Sequence, residues 1–407
     1  MGFRQMIFLG LLLTYVVGVI YLIVKRPYEA FAPGQTRTVA KWLFVLSVAY
    51  IPLAIGGLFF FGRPHSAFGN FFLGMVGTVF FTHLALIAYF LVVDIAGLFQ
   101  GAGRWALQLE SAPRAPERRR AVRQLGLLFA AIPFGAYLHG ITRGKYNFQV
   151  RKLTLTFPDL PAAFNGFRLV QISDMHSGSF DDPEKVKRGL ELVQEQSADL
   201  IVFTGDLVNG HAEEVTPYAD YLRNMLQAPF GKFAVMGNHD YYGPRDAKGD
   251  NPVKAAYGEV GFDLLNDRSV TLEKDGQHIS LVGVENWGRP PFPQIGDLDR
   301  ALADVDPDDF KILLSHDPTH WDEKTLPHPQ KVHLTLSGHT HGMQMGVNLP
   351  GLKWSPARFV YPRWLGLYEE AGQYLYVNRG FGWLGFPGRV GMYPEITVFE
   401  LRREQAG

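Results

Sequence analysis

The sequence predicts an α/β layered domain preceded by a membrane-embedded helical region. Three observations carry this. Apolar β-forming runs alternate with helical patterns from about residue 150 onward. Five of those runs end in Asp, Asn or His. The first 140 residues hold apolar stretches too long for a soluble core.

The chain has 407 residues, 47% of them hydrophobic, with 39 basic and 39 acidic side chains. A formal charge of zero gives no reason to expect a nucleic-acid partner. There is no cysteine, so disulfides and thiolate ligands are excluded. Any metal must be held by oxygen and nitrogen, which suits Mn, Fe, Zn or Mg.

Ile7 to Val24, Trp42 to Phe61 and Phe71 to Phe99 each satisfy the ~20 residues a membrane helix needs. Leu125 to Leu138 is a fourth candidate, shorter and carrying Pro133. The first connection carries Lys25, Arg26, Arg37 and Lys41, and the second only Arg63. The third carries Arg104, Arg114, Arg118, Arg119, Arg120 and Arg123. Lys and Arg concentrate on the cytoplasmic side, so the first and third connections are expected inside. A fourth crossing then puts the rest of the chain outside. The expectation is a multi-pass inner-membrane protein whose catalytic domain faces away from the cytoplasm, in contact with membrane lipids. His83 and Asp94 sit inside the third run and are expected to bond between helices or reach the interface.

The expected organisation is residues 1–140 membrane region, 141–152 linker, 153–401 catalytic domain and 402–407 tail. Val150 to Phe157 alternates like a strand. Asp182-Pro183-Glu184 reads as a capped helix start, followed by the apolar stripe Val186, Leu190 and Val193. Tyr218 to Gln227 reads as a second helix. Gln277 to Asn286, Gln373 to Asn378 and Glu395 to Leu401 read as further strands.

The chemistry lies at the strand ends. Phe167 to Ile172 leads to Asp174-Met175-His176, and Leu200 to Phe203 to Gly205-Asp206. Phe233 to Met236 leads to Gly237-Asn238-His239-Asp240. Ile312 to Leu314 leads to His316, and Leu334 to Leu336 to Gly338-His339-Thr340-His341. In α/β sheets the crevice at the carboxyl ends of the strands is where ligands bind. One such run would be an ordinary polar loop; five in this order are not.

This series resembles the calcineurin-like metallophosphoesterase superfamily over about residues 153–401. The resemblance implies a four-layer sandwich, two mixed β-sheets flanked by helices, and a dinuclear centre. By resemblance, Asp174, His176, Asp206 and His341 hold one divalent metal. Asp206, Asn238, His316 and His339 hold the other, with Asp206 bridging. Two cations ~3.5–4 Å apart polarise phosphate and acidify a water. His239 is implied to serve the leaving group, and Asp240 is a candidate to orient its ring. His333 reads as a satisfied strand residue. His211, His278, His320 and His328 read as surface or loop positions.

Asn209 stands where purple acid phosphatases carry a tyrosine ligand, so a tyrosinate-iron site is not expected. The phosphate-clamping arginine of the related protein serine/threonine phosphatases is also missing. Pro158-Asp159-Leu160-Pro161, His316-Asp317-Pro318 and Pro394-Glu395-Ile396 resemble a membrane-anchored bacterial subgroup with UDP-2,3-diacylglucosamine pyrophosphohydrolase-like enzymes. Aromatics such as Trp354, Phe359, Tyr361 and Trp364, interleaved with Arg358 and Arg363, suit core packing or a lipid-facing rim. The implied activity is a phosphodiesterase or pyrophosphatase on a phosphoester substrate, lipid-linked or of the envelope. The alternatives are a phosphomonoesterase acting on nucleotides or phosphoproteins, and a non-catalytic receptor of the same fold.

Overall fold

The computed structural model describes residues 3–61, 66–109, 116–247 and 249–404. Arg63 and Arg114 of the charge pattern, and the last three residues of the expected tail, lie outside them. The chain forms two compact units, Met1–Ile141 and Thr142–Gly407.

The first unit contains four helices: α1 (Phe3–Lys25), α2 (Gln35–Phe61), α3 (Ala67–Ala106) and α4 (Pro116–Thr142). Ser66 caps α3 by accepting the Gly69 N–H at 3.0 Å. Among the described residues, three stretches, Gln35–Gly57, Ala67–Ala106 and Pro116–Thr142, are long and apolar enough to cross a membrane. Pro133 does not break α4, which runs for 27 residues, so the fourth run is longer than its apolar segment suggested. Leu53, Val92, Leu128 and Ile132 point outward, which suits a lipid surrounding and not water. His83 is buried and ties three helices together. Its Nδ1 lies 2.8 Å from the Tyr15 hydroxyl of α1, and its Nε2 3.0 Å from Ser47 Oγ of α2. Asp94 pairs with Lys25 and accepts the Tyr21 hydroxyl at 2.7 Å. Both polar groups thus make the interhelical bonds expected of them.

The second unit begins with β1 (Gln149–Phe157) and β2 (Phe167–Ile172). Helix α5 (Pro183–Gln194) starts where expected, with the Asp182 carboxylate accepting the Lys185 N–H at 3.2 Å. Then follow β3 (Leu200–Phe203), β4 (Lys232–Ala234), α6 (Pro252–Glu259), β5 (Asp263–Leu264), β6 (Arg268–Lys274) and β7 (Gln277–Gly283). The remainder is α7 (Leu298–Ala301), β8 (Lys311–Leu314), β9 (Leu334–Ser337), β10 (Val347–Leu349), β11 (Leu352–Trp354), β12 (Gly366–Glu370), β13 (Gln373–Val377) and β14 (Glu395–Arg403). One six-stranded sheet has the order β1-β14-β2-β3-β4-β5, and the other β12-β13-β9-β8-β7-β6. Both are mixed: β2, β3 and β4 run parallel while β14 pairs antiparallel with β2, and β8 and β9 run parallel while β6 pairs antiparallel with β7.

The alternation of side chains across each sheet builds three apolar layers. Leu169, Leu200 and Val202 of the first sheet meet Leu281, Ile312, Leu314, Leu334 and Leu336 of the second in a shared core. Val170, Ile172, Ile201 and Phe203 face the other way, against Val186, Leu190 and Val193 of α5 and Val253 and Tyr257 of α6. Val282 and Leu313 are covered by Leu298, Ala301 and Leu302. That outer layer is thin, because α7 is a single turn.

Tyr218 to Gln227 is helical as far as Met225, though not a regular α-helix: a 3-10 stretch over Ala212–Tyr218 runs through Ala219 and Asp220 into a π-helical stretch over Tyr221–Met225. Pro217 lies inside the first stretch, where it supplies no amide to the ladder.

Candidate metal centre

The parallel runs β2, β3 and β4 of one sheet and β8 and β9 of the other finish at a common edge. There His176 Nε2, beyond β2, lies 3.1 Å from His341 Nε2, beyond β9. The His339 N–H donates to Asp174 at 2.9 and 3.1 Å. The loops that achieve this are bent sharply. Asp174, His176, Asp206, His339 and His341 all have left-handed backbones, with φ of 51°, 48°, 58°, 70° and 50°. Each such residue costs on the order of 1–3 kcal/mol, and strain of this kind persists where surrounding structure enforces it. Gly205 shows how tight the enforcement is. Its φ is +95°, and a Cβ there would lie 2.6 Å from both the Gly237 nitrogen and His316 Nδ1.

Two groups of side chains can each hold a cation. Asp174, His176 and His341 offer ligand atoms within 4.8 Å of one another, and so do Asp206, His316 and His339. The groups adjoin through Asp206, whose Oδ2 is 3.5 Å from His176 Nε2 and 3.2 Å from His316 Nε2. The second nitrogens of the rings are taken by other partners. His176 Nδ1 lies 3.0 Å from Asn209 Oδ1, and His316 Nδ1 donates to the Thr204 carbonyl at 2.7 Å. His339 Nε2 is 2.9 Å from the Tyr361 hydroxyl and 3.4 Å from Asp317. Outer partners of this kind fix which nitrogen of a metal-binding histidine faces the ion.

The donor set fits divalent ions. His316 Nε2 and Asn238 Oδ1 are buried and make no hydrogen bond. Asn238 Nδ2, by contrast, donates to the Tyr242 hydroxyl at 3.1 Å, which leaves the oxygen turned to the centre. A buried acceptor without a donor is costly unless something positive satisfies it. No sulfur is present, so the set is nitrogen and oxygen throughout, as borderline and hard cations prefer.

Electrostatics agree with that fit. Burial pushes the His176 imidazole down to about 3, which keeps it neutral and able to ligate. Burial alone would raise the Asp206 carboxyl, but the charge and proximity of the His316 ring outweigh it and hold it well below the usual range. Burial likewise would lower His316, yet Asp206 drives it up to about 10. In the metal-free chain the two opposed shifts describe the mutual attraction of a His316 cation and an Asp206 anion 3.2 Å apart. The two atoms make no aligned hydrogen bond. A divalent ion satisfies both groups better than that pairing, because it accepts lone pairs from each.

His239 stands apart from both groups. Its N–H donates to Asp206 Oδ1 at 2.8 Å and its Nδ1 lies 3.1 Å from the Asn209 carbonyl. Its ring packs edge-on against His176 and Tyr242. Asp240 does not orient that ring, contrary to expectation, nor is it a surface residue. It is fully buried, and its carboxylate accepts the N–H groups of Asp206, Leu207, Val208 and Gly237 at 2.9–3.3 Å and the Tyr257 hydroxyl at 2.8 Å. Burial, then the Asp206 charge, push Asp240 up to about 7 against the pull of these hydrogen bonds. Three further expectations meet their outcome here. His333 is buried in its strand edge with both nitrogens engaged. His278 is half exposed. His320 is fully buried, not superficial, with Nδ1 3.1 Å from Ser315 Oγ.

Four residues contribute that the ligand pattern did not single out. Asn209 supports both His176 and His239, and Asp317 and Tyr361 flank His339. Buried Arg389 places Nη2 3.0 Å from His341 Nδ1 and donates to the carbonyls of Arg379 and Gly382 at 2.7 and 2.9 Å. Of these, Asn209 and Asp317 carried a local signal, their positions three residues after Asp206 and directly after His316.

Comparison with known proteins agrees with this geometry. Residues 167–343 match the family model of the calcineurin-like phosphoesterases, and residues 3–145 match that of a probable calcineurin-like phosphoesterase transmembrane domain. The metallophosphoesterase YkuE of Bacillus subtilis is 33% identical over 290 residues, covering 68% of this chain and 95% of YkuE. A metallophosphoesterase of Aquifex aeolicus is 31% identical over 281 residues, 68% of this chain and 98% of the relative. The UDP-2,3-diacylglucosamine pyrophosphatase LpxG of Chlamydia trachomatis is 29% identical over 290 residues, 58% of this chain and 83% of LpxG. With strand-end Asp, Asn and His residues gathered at one edge of two mixed sheets, and an apolar helical unit before them, this chain belongs to the calcineurin-like metallophosphoesterases and is a membrane-associated, metal-dependent phosphoric ester hydrolase.

Proposed function

We propose that the chain hydrolyses a phosphodiester or pyrophosphate bond in a lipid-linked or envelope substrate. In this reading Asp174, His176, Asp206 and His341 hold one divalent ion, and Asp206, Asn238, His316 and His339 the other. The observation that carries it is the pair of unsatisfied ligand atoms, Asn238 Oδ1 and His316 Nε2, aimed into two adjoining His/Asp groups. The ions, when bound, supply Lewis acidity toward phosphate oxygens and an attacking water. The chain supplies the rest. The ligand loops are fixed in strained conformations, so no reorganisation is needed when charge develops. His239 works on the leaving group. With both ring nitrogens protonated, Nδ1–H donates to the Asn209 carbonyl, and the Nε2 proton passes to the leaving oxygen as the P–O bond breaks.

The lipid-linked substrate class rests on the LpxG similarity and on the membrane unit. The test is a screen of purified full-length protein, in detergent with defined metals. It sets a lipid pyrophosphate and bis-p-nitrophenyl phosphate against p-nitrophenyl phosphate. Metal-dependent turnover of the first two, abolished in Asp206→Asn, is expected. Turnover confined to the monoester would assign a phosphomonoesterase instead.

A further inference from the structure

The membrane unit has a charged cavity that the hydrolytic reaction does not use. It has a volume of about 300 Å³ and opens among α1, α3 and α4. Lys25, Arg118, Arg119 and Arg123 line it, with Asp94 the sole carboxylate among the described residues. Phe90, Val93 and Ala96 of α3 and Val122 of α4 add an apolar lining. A second cavity of about 490 Å³, lined by Arg37, Arg119, Arg120 and Arg123 with Glu29 and Glu117, shares two of these arginines. Basic residues collect at the cytoplasmic ends of membrane helices whether or not they bind anything. What differs here is convergence on a half-open pocket that also has an apolar lining.

Part of the charge is already used. Lys25 pairs with Asp94, and Arg123 donates to Glu29 at 2.9 Å and to the Lys25 carbonyl at 3.1 Å. These contacts hold the cavity's frame. Among the described residues, Arg118 makes no ion pair, and four cations face one carboxylate in the lining, so the site keeps a surplus of positive charge. Guanidinium groups match phosphate oxygens in geometry and shed water more readily than an ammonium. Phe90, Val93 and Ala96 of that lining belong to a helix of 40 residues, about 60 Å long, which is twice the hydrocarbon thickness. Asp94, with Gly97 and Gln100 that also line the cavity, therefore lies where α3 can leave the hydrocarbon, with exposed Leu98, Phe99 and Trp105 beyond.

We propose that this cavity, built by Lys25, Arg118, Arg119 and Arg123 against Phe90, Val93, Ala96 and Val122, binds the phosphate headgroup of an anionic phospholipid. The headgroup phosphate meets Arg118 and Arg119, and the start of the acyl chain follows the apolar lining. The site is separate from the metal centre and needs no turnover.

The test places the full-length protein in detergent micelles doped with phosphatidylglycerol or with phosphatidylcholine. Native mass spectrometry then reads the lipid retained. Retention of phosphatidylglycerol over phosphatidylcholine is expected, with at least a tenfold loss in the Arg118→Ala/Arg119→Ala double variant. Ala96→Phe, which keeps every charge and adds bulk to the apolar lining, should also reduce retention. The thermal midpoint of each variant without added lipid confirms that it folds. Equal retention of both lipids, or unchanged retention in the folded variants, overturns the proposal. So does full displacement by millimolar inorganic phosphate with no effect of Ala96→Phe, since the ligand would then be free phosphate.

Discussion

His239 and Asp240 are neighbours in sequence and have separate duties. His239 keeps its ring beside both metal-ligand groups without joining either. His239→Ala should therefore retain both metals and lose about 10²–10⁴-fold in rate, the usual range for general acid–base help. The loss should shrink for substrates whose leaving group needs no proton. Elemental analysis showing one metal missing would move His239 into the ligand set. Asp240 is fully buried, and four amides and a hydroxyl converge on its carboxylate. Asp240→Asn turns an NH₂ toward some of those donors, at about 1–3 kcal/mol for each one left unsatisfied. We expect metal affinity to fall by about 10–100-fold, as for other outer-sphere changes, with the bound form still active. Wild-type affinity in a metal titration would refute this. The candidate ligands were legible because their residue types and glycine neighbours are local signals. The duty of Asp240 was not, because it depends on amides more than 30 residues earlier that only the fold brings near. Arg389 was hidden for the same reason.

At the level of elements, the central strands were readable and the edges were not. β3 matches its apolar run residue for residue, since a strand buried on both faces writes a continuous hydrophobic segment. β6, β10, β11 and β12 are largely exposed and carry no such signal. His333, at the start of β9, shows what an element end can contribute. Its Nδ1 accepts the Lys311 N–H at 3.0 Å, and its ring stacks on Phe310. Burial, with Lys331 next, holds its pKa down to about 4. A folded pKa below the unfolded ~6.5 means the unfolded chain binds more protons between those values. Stability from this residue is thus present above about pH 6.5 and is lost as pH falls toward 4, by on the order of 3 kcal/mol at its upper limit. His333→Asn keeps an acceptor for Lys311 and cannot titrate. The thermal midpoint of the second unit should fall more steeply with acid in the wild type than in this variant. Parallel curves would show that His333 is already charged in the fold.

At the scale of the whole molecule, the open question is which side of the membrane the hydrolytic unit faces. The basic connections Lys25 to Lys41 and Arg104 to Arg123 are expected in the cytoplasm. The second and third helices then leave it and return. The fourth apolar run is short and carries a proline, but α4 is a continuous helix of 27 residues, about 40 Å of span. Its interior proline is tolerable in a bilayer where neighbouring groups satisfy the freed carbonyl. We therefore predict that α4 crosses and that the chain from Thr142 onward lies outside the cytoplasm. The substrate must then be an envelope phosphoester reached from that side, and nucleotide-linked precursors confined to the cytoplasm are ruled out. Protease added to intact spheroplasts should digest the second unit without lysis. If that unit stays intact until the cells are opened, and is cleaved once they are, it is cytoplasmic, and the substrate must be sought among nucleotide-linked lipid precursors there.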